Sequence, residues 1–189
     1  METPAETLTD GTLELRRWRV TQQAEQAALV IGSLEHLGAW LIWATNGYTA
    51  QDSAEYLTRA EKNWADGESY DYAIFDGDEL AGGCGLMKRD GGMEIGYWLS
   101  QGCTGRGLMT RTVTLLVAEA FRRGAGYVEI KHDELNVRSG AVPRRLGFTY
   151  LRKEPGPETE APAGAPADAP VATRAPATSG VYCVWRIEP

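Results

Sequence analysis

Two hydrophobic periods alternate along the chain. In "TLELRRW" Leu13 and Leu15 alternate with polar residues, a period of two that predicts a half-buried strand. From Thr21, a candidate N-cap, "QQAEQAALVIGSLEHLGAWLIWA" turns helical, with interruptions near Gly32–Ser33 and Gly38. A second helix is expected from Thr49 to Asp66, where Leu57, Ala60 and Trp64 fall on one stripe. Strand-like runs follow. "SYDYAIFD" and "ELAGGCGLMKR" flank an Asp76-Gly77-Asp78 hairpin signal, and "GMEIGYWL" comes after an Asp90-Gly91-Gly92 turn. A glycine-rich stretch then leads into a helix with Met109, Val113, Leu116, Val117 and Ala120 on one face. "GYVEIKH" reads as a strand, "NVRSGAVPRRLG" as a short helix, and "FTYLRK" and "GVYCVWRI" as closing strands. This order predicts an α+β fold: one mixed, mostly antiparallel sheet of about seven strands flanked by helices. It lacks the strict βαβα alternation of a doubly wound sheet.

Between the last two strands, residues 154–179 consist almost wholly of Pro, Ala, Gly, Thr and acidic residues. Such a composition buries too little apolar surface to offset its ordering entropy, so a flexible insertion is expected there. Only one strand's worth of chain follows, which therefore returns to the same sheet, and residues 1–189 read as a single domain. The net charge of −7 opposes nucleic-acid binding, which needs cations to displace counterions. Three dispersed cysteines and two histidines suggest neither a disulfide framework nor a metal site. No run reaches membrane-spanning length and the first residues have no signal-peptide pattern, so a cytoplasmic protein with no membrane partner is expected.

The candidate chemistry lies in "QGCTGRGLMTRTVTLLVAEAF". A phosphate-binding P-loop ends in Gly-Lys-Ser/Thr, and this loop ends Gly107-Leu108-Met109. A dinucleotide fingerprint puts a third glycine where Thr110 stands, and places the loop at a first strand–helix turn. A coenzyme A pyrophosphate site asks for consecutive backbone N–H groups at a helix N-terminus. Gly105, Arg106, Gly107, Leu108 and Met109 supply them, with Thr104 and Thr110 at the flanks and Arg106 as a cation. Together with Glu94-Ile95-Gly96-Tyr97-Trp98-Leu99 before the loop, Asn136-Val137-Arg138-Ser139 after the next strand and Leu146-Gly147-Phe148 closing the next helix, the chain resembles the GNAT acetyltransferase superfamily. The branch it resembles is that of the ribosomal-protein N-terminal acetyltransferases. "EHLGAWLIWA" looks like that branch's early helix. Gly102 departs from the superfamily's loop pattern, which has Gln or Arg there, so one anchoring side chain is missing.

The resemblance implies acetyl-CoA as co-substrate, without a metal, and transfer of its acetyl group to a primary amine. That amine would belong to a protein N-terminus or to a small molecule such as an antibiotic or polyamine. A non-catalytic acyl-CoA-binding module is the alternative, favoured by Gly102 and opposed by Ser139. The pantetheine arm would pair with Tyr97, Trp98 and Leu99, and Asn136 would bind its amides. Ser139 would hydrogen-bond the leaving thiolate, whose free thiol titrates near about 8.5. Glu94 is the candidate general base, with Asp133 and Glu35 as alternatives. His132 and Cys103 read as structural or buried groups. Trp40 and Trp43 either wall the acceptor site or belong to the core. A homodimer is one expected assembly.

Overall fold

The computed structural model describes residues 3–156 and 175–189. It contains β1 (Thr7–Thr9), β2 (Leu13–Arg17), α1 (Gln23–Ile31), α2 (Leu34–Gly38), α3 (Ala50–Asp66), β3 (Ser69–Asp76), β4 (Glu79–Arg89), β5 (Gly92–Leu99), α4 (Leu108–Arg122), β6 (Val128–Asp133), α5 (Val137–Arg145), β7 (Thr149–Pro155) and β8 (Val181–Ile187). The strands form one sheet in the order β1-β2-β3-β4-β5-β6-β8-β7, eight strands against the seven or so expected. The addition is the three-residue β1, too short to carry an alternating pattern. Every pairing is antiparallel except β5 with β6.

Local chemistry explains most boundaries. Thr49 caps α3 through a reciprocal box with Asp52, and Gly67 ends that helix in the left-handed region at φ 75°. Thr21 is not an N-cap: it lies inside a 3-10 turn, Val20–Gln22, and α1 begins after it. The early helices cover one face of the sheet, where Leu57 meets Trp18, Ala73 and Phe75. α4 covers the other, setting Val113, Leu116 and Ala120 against Leu13, Leu15, Tyr72, Ile74 and Ile95.

The expected insertion at 154–179 falls largely on residues 157–174, outside the described residues. Its first two residues continue β7. Near its far end Ala175 and Thr178 are buried, and the Ala177 N–H donates to the Ala39 carbonyl at 2.9 Å. That contact joins the approach to β8 to the turn after α2.

Candidate active site

β5 and β6 pair only from Met93–Ile95 to Val128–Ile130. Beyond that register β5 runs on to Leu99 against β4 alone, and β6 continues to Asp133 against β8 alone. The two parallel strands therefore part, and a cleft of about 780 Å³ lies beside the freed end of β5, between it, the start of α4 and α5. Tyr97, Trp98 and Leu99 form one wall. Thr104, Gly105, Gly107, Leu108, Met109 and Thr110 form the second, and Asn136 and Ser139 stand on the third, at the start of α5. A smaller recess of about 90 Å³ shares Trp40, Tyr97, Asn136 and Ser139 with the cleft and adds Lys131, His132, Asp133 and Tyr182.

The wall formed by β5 depends on glycines in β4. A Cβ on Gly83 would stand 2.8 Å from Trp98 Nε1, and one on Gly82 would stand 2.2 Å from the Trp98 carbonyl oxygen. The Gly82-Gly83 pair is thus what lets Trp98 lie across the neighbouring strand.

Gly105 and Gly107 have φ of 80° and 75°, conformations that L-residues with a Cβ rarely adopt. Gly107 also caps α4, which has no side-chain cap. None of the N–H groups from Gly105 to Thr110 meets a hydrogen-bond acceptor among the described residues. Unpaired donors at the positive end of a fifteen-residue helix make an anion-binding surface.

The cation expected beside those donors is elsewhere. Arg106 is absent from the cleft lining. Its guanidinium turns back to Glu79, to Asp76 at 3.6 Å and to the Gly102 carbonyl at 3.1 Å. It staples the loop to the β3–β4 hairpin, anchoring the place where Gly102 has no side chain. The cations that do line the cleft are Arg138 and Arg145, and Arg145 Nη1 donates to Thr110 Oγ1 at 2.7 Å. Arg138, Ala141, Val142 and Arg145 all line the cleft, spaced i, i+3, i+4, i+7 along α5. That helical stripe is the signal from which the two arginines could have been read.

Asn136 caps α5: its Oδ1 accepts the Ser139 N–H at 3.1 Å. Ser139 in turn meets the Tyr97 phenol, at 3.1 Å from Oγ and 3.2 Å from its carbonyl oxygen. Tyr97 is half-buried, and the loss of water around its hydroxyl pushes its pKa up to about 12, so it stays protonated and able to donate.

Glu94 is not brought into this constellation. It lines neither cleft nor recess, because Arg89 Nε holds it at 3.1 Å and Lys131 Nζ approaches at 3.5 Å. Lys131 also pairs with Glu154 at 2.8 Å, so the recess wall carries a cation between two carboxylates. Asp133 is occupied as well. Its carboxylate accepts the N–H groups of Leu135, Ser179 and Gly180, joining the loop before α5 to the approach to β8. Glu35 is exposed on α2 and lines neither space.

His132 is a structural histidine. Nδ1 lies 2.8 Å from the Asp133 carbonyl, which only accepts, and Nε2 lies 3.0 Å from the Trp185 indole nitrogen, which only donates. The ring is therefore neutral with its proton on Nδ1, and burial holds its pKa below the ordinary imidazole value. His36, which sequence reasoning passed over, lines the cleft, and burial together with Arg138 lowers its pKa too. The two tryptophans divide: Trp40 lines both spaces, whereas Trp43 packs edge-on against Tyr48 and Trp98 outside them. Cys103 is buried, with its sulfur 3.5 Å from Glu79.

Comparison with known proteins finds this architecture again. Residues 12–149 match the family model described as "Acetyltransferase (GNAT) domain". YdaF of Bacillus subtilis (strain 168) is 30% identical over 127 residues, covering 65% of this chain and 69% of its own. "Probable N-acetyltransferase YjcK" of the same organism is 27% identical over 152 residues, 77% of this chain and 80% of its own. The solved structure of RimL, a ribosomal L7/L12 alpha-N-protein acetyltransferase in complex with coenzyme A, aligns with a TM-score of 0.81 at 22% identity. It covers 97% of this chain and 98% of that one. The microcin C7 self-immunity acetyltransferase MccE, in complex with acetyl-CoA and AMP, gives 0.79 at 17% identity over 95% and 94%. With the family model spanning well over half its length and its parted strands opening at a bare helix N-terminus, this chain belongs to the GNAT acetyltransferase family and is an N-acetyltransferase.

Proposed function

We propose that the protein transfers the acetyl group of acetyl-CoA directly to a primary α-amine, with the donor in the cleft and the acceptor entering through the recess. The observation that carries this reading is the parting of β5 and β6 over the unpaired N–H groups of Gly105 to Thr110. The pyrophosphate lies against those donors, and Arg145 supplies the cation that Arg106 does not. The pantetheine arm runs along Tyr97, Trp98 and Leu99, whose backbone lacks a second strand partner there. Ser139 stands at the sulfur end and donates a hydrogen bond to the departing thiolate. Asn136 holds Ser139 in place by capping α5.

The acceptor must be neutral to attack. The carboxylates near the recess are engaged: Glu94 by Arg89 and Lys131, Glu154 by Lys131 and Arg152, Asp133 by backbone donors. An α-amine, with a pKa near about 8, presents a substantial neutral fraction without a strong base, whereas a lysine side chain near about 10.4 does not. This favours α-amine acceptors, on a peptide N-terminus or a small aminoacyl compound. The structural neighbour RimL is an alpha-N-protein acetyltransferase, which supports the α-amine reading.

Calorimetric titration with acetyl-CoA, followed by thiol-release assays over N-terminal peptides, small α-amines and ε-amines, tests the reading. Binding with release on α-amines and weak release on ε-amines is the expected result. Binding without release on any amine would favour a non-catalytic acyl-CoA module, and preference for ε-amines would overturn the acceptor class. Ser139→Ala should lower kcat while leaving acetyl-CoA affinity within about twofold, the pattern of an interaction made in the transition state.

A further inference from the structure

A proline inside α5 leaves the serine carbonyl short of a partner. In an α-helix the carbonyl of residue 139 accepts from the N–H of residue 143, and residue 143 is Pro, which has none. Pro143 is buried, so the exposed first turn of α5 does not simply unwind into water there. The donor that reaches the Ser139 carbonyl is the Tyr97 phenol at 3.2 Å, coming from β5 on the opposite wall of the cleft. The same oxygen stands 3.1 Å from Ser139 Oγ. Tyr97 therefore grips Ser139 at two points, while the Ser139 amide is fixed from the other side by Asn136.

We propose that Tyr97 is a positioning residue for Ser139: its hydroxyl clamps the serine through both oxygens and directs the serine proton toward the leaving sulfur. This rests on the assignment of Ser139 made above. A serine side chain has three staggered rotamers, and an unrestrained hydroxyl divides its hydrogen among solvent and neighbouring carbonyls. The clamp selects one orientation. The phenol has a single hydrogen and two acceptors within reach. Before thiolate forms, that hydrogen serves the Ser139 carbonyl and Ser139 Oγ–H points back to the phenolic oxygen. As negative charge grows on the sulfur, Ser139 Oγ–H turns to the sulfur and the phenol hydrogen follows to Oγ, strengthening the donor. No covalent bond is made or broken in this rearrangement. The clamp also couples the two walls, since β5 carries the phenol and α5 carries the serine.

The experiment is a double-mutant cycle on Tyr97→Phe and Ser139→Ala, with kcat, acetyl-CoA Kd and melting temperature measured for the full chain and each variant. Tyr97→Phe keeps the ring that packs in the core and removes only the hydroxyl. The expected result is a kcat about tenfold lower, acetyl-CoA Kd within about twofold, and no further loss when Tyr97→Phe is added to Ser139→Ala. Two outcomes would overturn the proposal. One is a Tyr97→Phe enzyme with wild-type kcat and a lowered melting temperature, which would make the phenol a structural partner for the orphaned carbonyl alone. The other is full additivity with Ser139→Ala, which would mean that the phenol acts independently of the serine. The underlying reading fails separately: Ser139→Ala with undiminished kcat removes the serine from catalysis, whatever Tyr97→Phe does.

Discussion

At the scale of single residues, the site is defined by where each charged or polar side chain is already committed. Arg106 and Arg145 make the contrast. Both are arginines within reach of the helix N-terminus in sequence or space, but Arg106 faces Glu79 and Asp76, while Arg145 touches only the Thr110 hydroxyl among the bonds described. Arg145→Ala should therefore raise the acetyl-CoA Kd by about tenfold, about 1.4 kcal/mol, with kcat at saturation retained. Calorimetry on wild type and variant reads this directly, and an unchanged Kd would remove Arg145 from the phosphate site. His132 yields a second expectation through its two committed nitrogens. Its pKa is depressed in the folded protein, so the unfolded chain binds the proton first. Its contribution to stability is full above the ordinary imidazole value of about 6.5 and is lost as pH falls below that value toward the depressed one. His36 shifts in the same direction, and half-buried Asp71, whose pKa desolvation raises, opposes it. The His132 share is thus read as a difference between proteins. Thermal melts at about pH 7.5 and about pH 5.5 should show a smaller acid-induced drop in His132→Gln than in wild type. Equal drops would contradict it.

At the scale of elements, glycines set how closely the walls of the cleft approach. α5 rests on β6 at Gly140, where a Cβ would stand 2.5 Å from His132 Cε1 and 2.7 Å from Nε2. The imidazole is held at both nitrogens and cannot swing aside cheaply, so a methyl group there must lift α5 and carry Asn136 and Ser139 with it. Gly140→Ala is expected to cost about 1–3 kcal/mol of stability, as overpacking does, and to reduce kcat more than acetyl-CoA affinity. Urea midpoints and steady-state kinetics check both parts, and an unaltered midpoint would show that the contact relaxes freely. This spacing was invisible in the sequence, where "NVRSGAVPRRLG" announces a helix and an N-cap but not the ring beneath its glycine. The elements themselves were legible because their periods are long. α3 shows a stripe of Leu57, Ala60 and Trp64 over seventeen residues, and β3, β4 and β5 are punctuated by Gly77 and Gly91 at positive φ. β1 was not legible, since three residues carry no period. Among the site residues, the backbone positions of the glycine loop could be read from residue type. The destination of Arg106 could not, because it depends on Glu79 and Asp76 arriving from a hairpin about thirty residues away. The engagement of Glu94 was hidden for the same reason: a carboxylate at a strand start looks free until Lys131 is laid beside it by the parallel pairing with β6.

At the scale of the whole molecule, one parallel pairing in an otherwise antiparallel sheet creates the site. Among the described residues seven ladders join eight strands, and only the β5–β6 ladder stops after three residue pairs while both strands continue. The interior of a sheet normally has no room for a ligand, because adjacent strands lie about 4.8 Å apart and satisfy each other's hydrogen bonds. Here the α4 N-terminus and α5 stand beside the freed end of β5, and in the reading proposed above the acetyl-CoA arm completes what the sheet leaves open. A molecule that fills the cleft should therefore stabilise the fold, since β5, α4 and α5 border it and β6 and β8 border the recess that adjoins it. Ligand linkage quantifies the expectation. At a free concentration of 100 Kd, binding to the native state alone contributes about 2.7 kcal/mol. For a domain of this size that raises the melting temperature by roughly 5–10 °C. Acetyl-CoA and coenzyme A should both produce the shift, and NADH should not, because Thr110 and the meander of β3, β4 and β5 deny a dinucleotide its turn. Ser139→Ala should retain the shift with acetyl-CoA while losing turnover, which separates filling the gap from reacting within it. A shift with NADH equal to that with acetyl-CoA would mean that the loop reads phosphates without reading the arm. No shift with acetyl-CoA at concentrations that support turnover would mean that the strands part for some purpose other than holding the donor.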